Sequence, residues 1–224
     1  MTSSCSVSSV SCLGGVPYLA NLRYASEPSR QYLNDIYNSV VLNNVVKRNK
    51  IRDVDLLSRI AAYVISNVGS TFASTSISRF LKSERRTFAP ETILNYIRYC
   101  TDAYLFYQVN RQDLQGKQIL STNEKYYMAD HGLREAVFGG NMRDINLILE
   151  NIVYMELLRR GYTVTVGKSG DKKSTSYARS RMKSSTFKFV TCSLPTKLSS
   201  VNLAYTIQSL ITSPSTLSLW TKLT

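Results

Sequence analysis

Acidic residues are missing from the last 53 positions of this 224-residue chain. Lys172 to Thr224 holds eight basic residues, 21 Ser or Thr, and no Asp or Glu. All 15 acids lie between Glu27 and Asp171, together with 19 of the 28 basic residues, so the net +13 divides into +4 from that body, +8 from the tail and +1 from Arg23. A basic chain invites a nucleic-acid reading, but here most of the excess charge is a property of the tail. Other scarcities narrow the choice further. There is no apolar run near the roughly 18 residues of a membrane helix. Met1–Cys12 carries six Ser but no basic residue and no apolar core, which excludes a secretory signal. The four cysteines, at 5, 12, 100 and 192, form no CxxC pair, and with the single His131 they make no zinc site. Unpaired cysteines fit a reduced, cytoplasmic setting. No internal repeat is present.

What the chain does contain is helical periodicity. After a serine-rich lead (1–12), a loop and helix occupy 13–52, with Ser26 read as an N-cap, Pro28 in the first turn, and Leu33, Ile36, Tyr37, Val40, Val41 and Val45 at helical spacing as far as about Val46. Lys47, Arg48, Lys50 and Arg52 follow. They read as a solvated helix end helped by the dipole, with phosphate contact as the alternative.

Residues 53–130 say most about fold. Asp53 caps a helix that turns Leu56, Leu57, Ile60, Ala61, Val64, Ile65 and Val68 to one face and stops at Gly69. A short helix, about Ser74 to Leu81, is expected to bury Ile77, Phe80 and Leu81. The basic turn 82–86 leads to Pro90 and a third helix that buries Ile93, Ile97 and Cys100. Leu105, Tyr107 and Val109 alternate with polar residues, Gln115-Gly116-Lys117 makes a turn, and Tyr126 and Met128 alternate again. Three helices with a short middle one and then a hairpin is the order of a winged helix. If such a module met DNA, Asn95 and Arg98 would reach base edges, and Arg85, Arg86, Arg111 and Lys117 would take phosphates. The near balance of charge in this stretch leaves a protein-interaction module open beside DNA contact.

From 131 to 171 the pattern changes. A helix over 141–160 is expected to turn Ile145, Leu147, Ile148, Ile152, Val153, Leu157 and Leu158 inward, and Tyr162–Val166 reads as a strand that opens a further αβ domain. Gly167-Lys168-Ser169 is no phosphate loop, because the first glycine is one residue out of place; no nucleotide is expected. Asp130-His131-Gly132 reads as a cap or loop, without a nucleophile motif. Cys100 reads as core. Glu150 alone reads as a surface or capping acid, and as a metal-site acid only if strand carboxylates joined it.

Gly14–Leu19 (GGVPYL), Tyr32–Ile36 (YLNDI), Lys125–Arg134 (KYYMADHGLR), Leu149–Leu157 (LENIVYMEL) and Arg160-Gly161-Tyr162 together resemble the C-terminal region of prokaryotic AAA-type ATPases, a domain of unknown function. The resemblance spans about Gly14 to Asp171. It implies a preceding P-loop ATPase domain, absent from this sequence, and a following core similar to PD-(D/E)XK nucleases. There, a segment like Lys-Glu-Ile-Asp-Phe-Val-Cys would supply acids for a divalent metal. Here 172–178 reads Lys-Lys-Ser-Thr-Ser-Tyr-Ala, and among the implied metal-site positions only Glu150 keeps an acid. Deleting one nucleotide from a back-translation of the family segment yields that heptapeptide, so the resemblance implies a frameshift after Asp171, and 172–224 is expected to be disordered.

The sequence therefore leads to a mostly α, α+β chain: a winged-helix-like module at 53–130, an incomplete nuclease-like αβ domain at 131–171, and a tail at 172–224. The functional expectation is a truncated piece of an AAA-type ATPase family protein with no catalytic activity, cofactor, bound metal or membrane contact. Its rivals are a nucleic-acid-binding module that uses the basic tail, and a protein-interaction domain that docks a separate ATPase.

Overall fold

The computed structural model describes residues 14–83, 88–113, 119–138, 145–168, 175–180 and 186–189. The architecture is α+β and mostly helical, and no described helix is long and apolar enough to cross a membrane.

Helix α1 (Ser26–Ser39) starts one residue earlier than its serine suggested. Ala25 is the extended N-cap residue, its carbonyl accepts from Ser29 N, and Ser26 is already helical. Pro28 is tolerated because first-turn N–H groups have no helical partner in any case. The helix continues as a π-helix over Val40–Lys47, which buries Val41 and Val45.

Helix α2 (Val54–Ser66) begins where Asp53 Oδ1 accepts from Leu56 N at 2.9 Å, and it buries Leu56, Leu57, Ile60, Ala61, Val64 and Ile65. Gly69 leaves it with φ +76, a left-handed conformation that glycine adopts without steric cost. After strand β1 (Thr71–Phe72) comes α3 (Ser74–Ser83), which buries Ile77 and Leu81. Phe80, expected inside, is 37% exposed and leans on Tyr63 at a centroid distance of 5.2 Å. It stands at the margin of the stripe set by the i, i+4 pair Ile77 and Leu81. Helix α4 (Pro90–Asp102) has Pro90 in its first turn and buries Ile93, Ile97 and Cys100. Burial pushes the Cys100 thiol up to about 12, so it is a core residue with no reactive thiolate.

Strands β2 (Phe106–Asp113) and β3 (Ile119–Met128) pair antiparallel, Phe106 opposite Met128, with an irregularity between Val109 and Arg111. β1 adds to the far edge of β3, Thr71 opposite Lys125. Helix α5 (His131–Phe138) and helix α6 (Ile145–Arg159) follow, then β4 (Tyr162–Lys168), which pairs parallel to β2 from Arg111 to Asp113. The sheet order is β1-β3-β2-β4, continued by β5 (Thr175–Ser180) and β6 (Thr186–Phe189), so one sheet crosses the boundary drawn at residue 130.

The expectation of a wholly unstructured tail does not hold at its start. β5 (Thr175–Ser180) pairs antiparallel to β4, and β6 (Thr186–Phe189) to β5. Thr175, Tyr177, Thr186, Phe187 and Phe189 are residue types that suit a pleated ladder, and β4 offers an open edge for it. Residues 1–13 and 190–224 lie outside the described residues.

Candidate nucleic-acid interface and a buried carboxylate

Of the six residues assigned to DNA contact, the structure describes the side chains of two. Asn95 and Arg98 are exposed on the face of α4 opposite Ile93 and Ile97. Arg98 Nε stands 4.0 Å from Asp102 Oδ2, both side chains mostly in solvent, a pair too wet to hold the guanidinium in place. Glu91 and Leu94 share that face, Leu94 at 43% exposure. Arg111 lies in β2, opposite Leu120 on one side and Val166 on the other, so its backbone is inside the sheet; its side chain is outside the described residues. Arg85, Arg86 and Lys117 also lie outside them.

Glu150 is not a surface acid. Its carboxylate is buried between α6 and β3, where Oε1 accepts from Lys125 Nζ at 2.7 Å and from the Tyr127 hydroxyl at 2.7 Å. Tyr127 stacks on Tyr154, one helical turn after Glu150, at 4.0 Å and 13°. The next residue, Asn151, bonds both backbone groups of Met128: Met128 N donates to Oδ1 at 2.8 Å, and Nδ2 donates to Met128 O at 3.1 Å. A side chain at Gly69 would press on Glu150, its Cβ 3.3 Å from Cδ. The deepest stripe of α6 is therefore Glu150, Asn151, Tyr154 and Leu157, whereas Leu147, Ile148, Ile152, Val153 and Leu158 are only half-buried. Apolar residues surround most of this helix, so periodicity did not single out the side facing the sheet. The available signal was Lys125 and Tyr127, two positions apart on one strand and hence on one face.

These residues do not fit a divalent metal. Among the described residues no three His, Cys, Asp or Glu side chains gather, and Glu150 Oε1 is already engaged by an ammonium and a phenol. Asp130 caps, as its position suggested. Its Oδ1 accepts from Gly132 N at 2.7 Å at the start of α5, and its Oδ2 accepts from Gly15 N at 2.7 Å, so the GGVPYL segment is tied to the strand–helix corner. At Gly14, with φ +88, a Cβ would fall on that same carboxylate.

A family model described as a domain of unknown function (DUF8612) matches residues 6–144, from the serine-rich lead through α5 and short of Glu150. An uncharacterized protein of Haemophilus influenzae is 38% identical over 167 residues, which cover 74% of this chain and 41% of that protein. An uncharacterized protein of Methanocaldococcus jannaschii is 28% identical over 134 residues, 59% of this chain and 29% of its own length. The chain thus spans about two-fifths or less of the curated relatives it matches. No solved structure matches it.

Proposed function

The chain belongs to the DUF8612 family, and from that premise we propose that its 53–130 region is a winged helix that contacts duplex DNA through α4 and the β2–β3 hairpin. The observation that carries this reading is the order α2-β1-α3-α4-β2-β3 with β1 antiparallel to β3. In such a module the helix before the hairpin is free to enter the major groove, and α4 has its Asn95 and Arg98 face in solvent. Asn suits adenine and Arg suits guanine because each can bond two atoms on one base edge. The resemblance to AAA-type ATPases supports the further proposal that the module works within, or beside, a longer ATPase. This chain then has no chemistry of its own, since Glu150 is committed to Lys125 and Tyr127. A frameshift after Asp171 remains our account of the acid-free tail, and resequencing across codons 168–176 tests it.

The test of DNA contact is fluorescence anisotropy of the full chain with labelled duplexes at low salt. Arg98→Ala should weaken binding to the preferred sequence by about 1–3 kcal/mol and relax base preference. Arg85→Ala or Arg86→Ala should weaken binding regardless of sequence. One observation favours a second reading. Glu91, Leu94 and Asp102 share the exposed face with a single cation, Arg98, which suits a protein partner better than a polyanion. Absence of any duplex binding at low salt, with co-purification of an ATPase, decides for that reading.

A further inference from the structure

Lys47, Arg48, Lys50 and Arg52 lie within six residues, the first ending the π-helix and the others following it before α2, and all four are exposed. Among the described residues none of them forms an ion pair; Lys47 Nζ donates to Asn43 Oδ1 at 2.8 Å. A helix C-terminus is complemented by one or two cations within its last turn. Four within six residues sit well inside one Debye length of each other and repel, so the helix end alone does not account for them.

The turn is also built. Ile51 N donates to Val46 O at 3.0 Å, Lys50 N to Lys47 O at 3.3 Å, and Asn49 Nδ2 to Val45 O at 2.9 Å. Half-buried Ile51 and the Asp53 cap fix its far end. Lys50 stands at φ +52, the left-handed region where glycine is at ease and a lysine is strained. The bond from Ile51 N to Val46 O closes the helix end around it, the same arrangement as at Tyr104, where Leu105 N donates to Cys100 O. The location is apt as well. The π-helix packs against α4, the helix that carries Asn95 and Arg98.

We propose that the Lys47–Arg52 turn is a sequence-independent phosphate clamp, gripping the sugar–phosphate backbone of the duplex whose bases α4 reads. The clamp rests on the DNA reading of α4 given above. It adds a contact outside the helix–hairpin unit, one that a winged-helix outline alone does not supply.

The experiment measures anisotropy of the full chain on a labelled duplex of about 20 base pairs, with salt varied from about 50 to about 200 mM. It compares the wild type with Arg98→Ala, the triple variant Arg48→Ala/Lys50→Ala/Arg52→Ala, and Lys50→Gly. The basic tail is present in all four and cancels in the differences. The triple variant should reduce the slope of log affinity against log salt by about 2–3, and Lys50→Gly by about 1, since each phosphate contact contributes about 0.9. Both should weaken binding equally across sequences. Lys50→Gly should do so while melting no lower than wild type, because glycine suits φ +52; this variant decides the matter if the triple variant folds poorly. Retained slopes in the triple variant and in Lys50→Gly, with Arg98→Ala still weakened, would overturn the clamp and leave the DNA reading standing. No binding by the wild type at the lowest salt overturns both.

Discussion

The three helices between Val54 and Asp102 and the seam between α6 and β3 are equally buried but are joined by opposite means. Among the described residues of these helices every deeply buried contact residue is apolar, including Leu56, Leu57, Ile60, Val64 and Ile65 from α2, Ile77 and Leu81 from α3, and Ile93, Ile97 and Cys100 from α4. At the seam the stacked Tyr127 and Tyr154 rings are joined by buried polar contacts, Glu150 with Lys125 and Tyr127, and Asn151 with the backbone of Met128. Apolar burial is roughly proportional to area and tolerates small shifts, whereas a buried ion pair is tolerable only at good geometry. The helical core therefore sets how much is buried, and the seam sets where α6 must lie on the sheet. The seam is also the more brittle of the two.

Removing one partner at the seam should have the largest effect. Glu150→Leu leaves the Lys125 ammonium buried without its carboxylate, and about 3–5 kcal/mol of stability should be lost in urea denaturation. The double variant Glu150→Leu/Lys125→Met should recover most of it; a double variant as unstable as the single one would show that the charge pair is not what fails. In the apolar core, Ile60→Ala should cost about 2–5 kcal/mol through lost burial and a cavity, and no second substitution of polar type should rescue it. Equal rescue in both regions would abolish the contrast.

Smaller effects refine the picture at the helix ends. Asp53→Ala removes the acceptor of Leu56 N and should cost about 1 kcal/mol, read from the same denaturation curves, with Asp53→Ser costing less. The least effect is expected from Glu156 on the outer side of α6. Hydrogen bonds from Arg159 first, and then from Arg160 together with their charges, hold its carboxyl below the usual range against the opposing effect of burial. A folded pKa below the unfolded one contributes stability above the unfolded value, and that contribution is lost as pH falls through the folded value. Glu156→Gln should therefore lower the melting temperature slightly at about pH 7, and by less as pH falls below the unfolded carboxyl value of about 4.3 towards the folded one. An equal drop across that range would assign the effect to packing.

The same contrast explains which parts were legible before the fold was known. Helix periods and the Asp53 cap are local, so the stripes Ile60–Val64 and Ile93–Ile97–Cys100 could be read directly. Phe80 and Ser26 were misplaced by a single position at a helix margin, where local preference and packing differ little. Asn95 and Arg98 were correctly expected to face outward, while Arg111 turned out to have its backbone between two strands, because β4 comes from far along the chain.

By itself the sequence determined the helical body, its apolar stripes, the Asp53 cap, and a charge imbalance concentrated after Asp171, since each depends on neighbours within a turn or on composition. Only the tertiary structure decided that β4 joins β2 in parallel and receives β5, that Asp130 holds Gly15, and that Glu150 is buried against Lys125 and Tyr127. Apart from the β4–β5 pairing of consecutive strands, these pairings join residues separated by 23 to 115 positions. Hydrogen bonds and ion pairs carry no periodicity, so their partners are chosen only when the chain has closed and water has left the site.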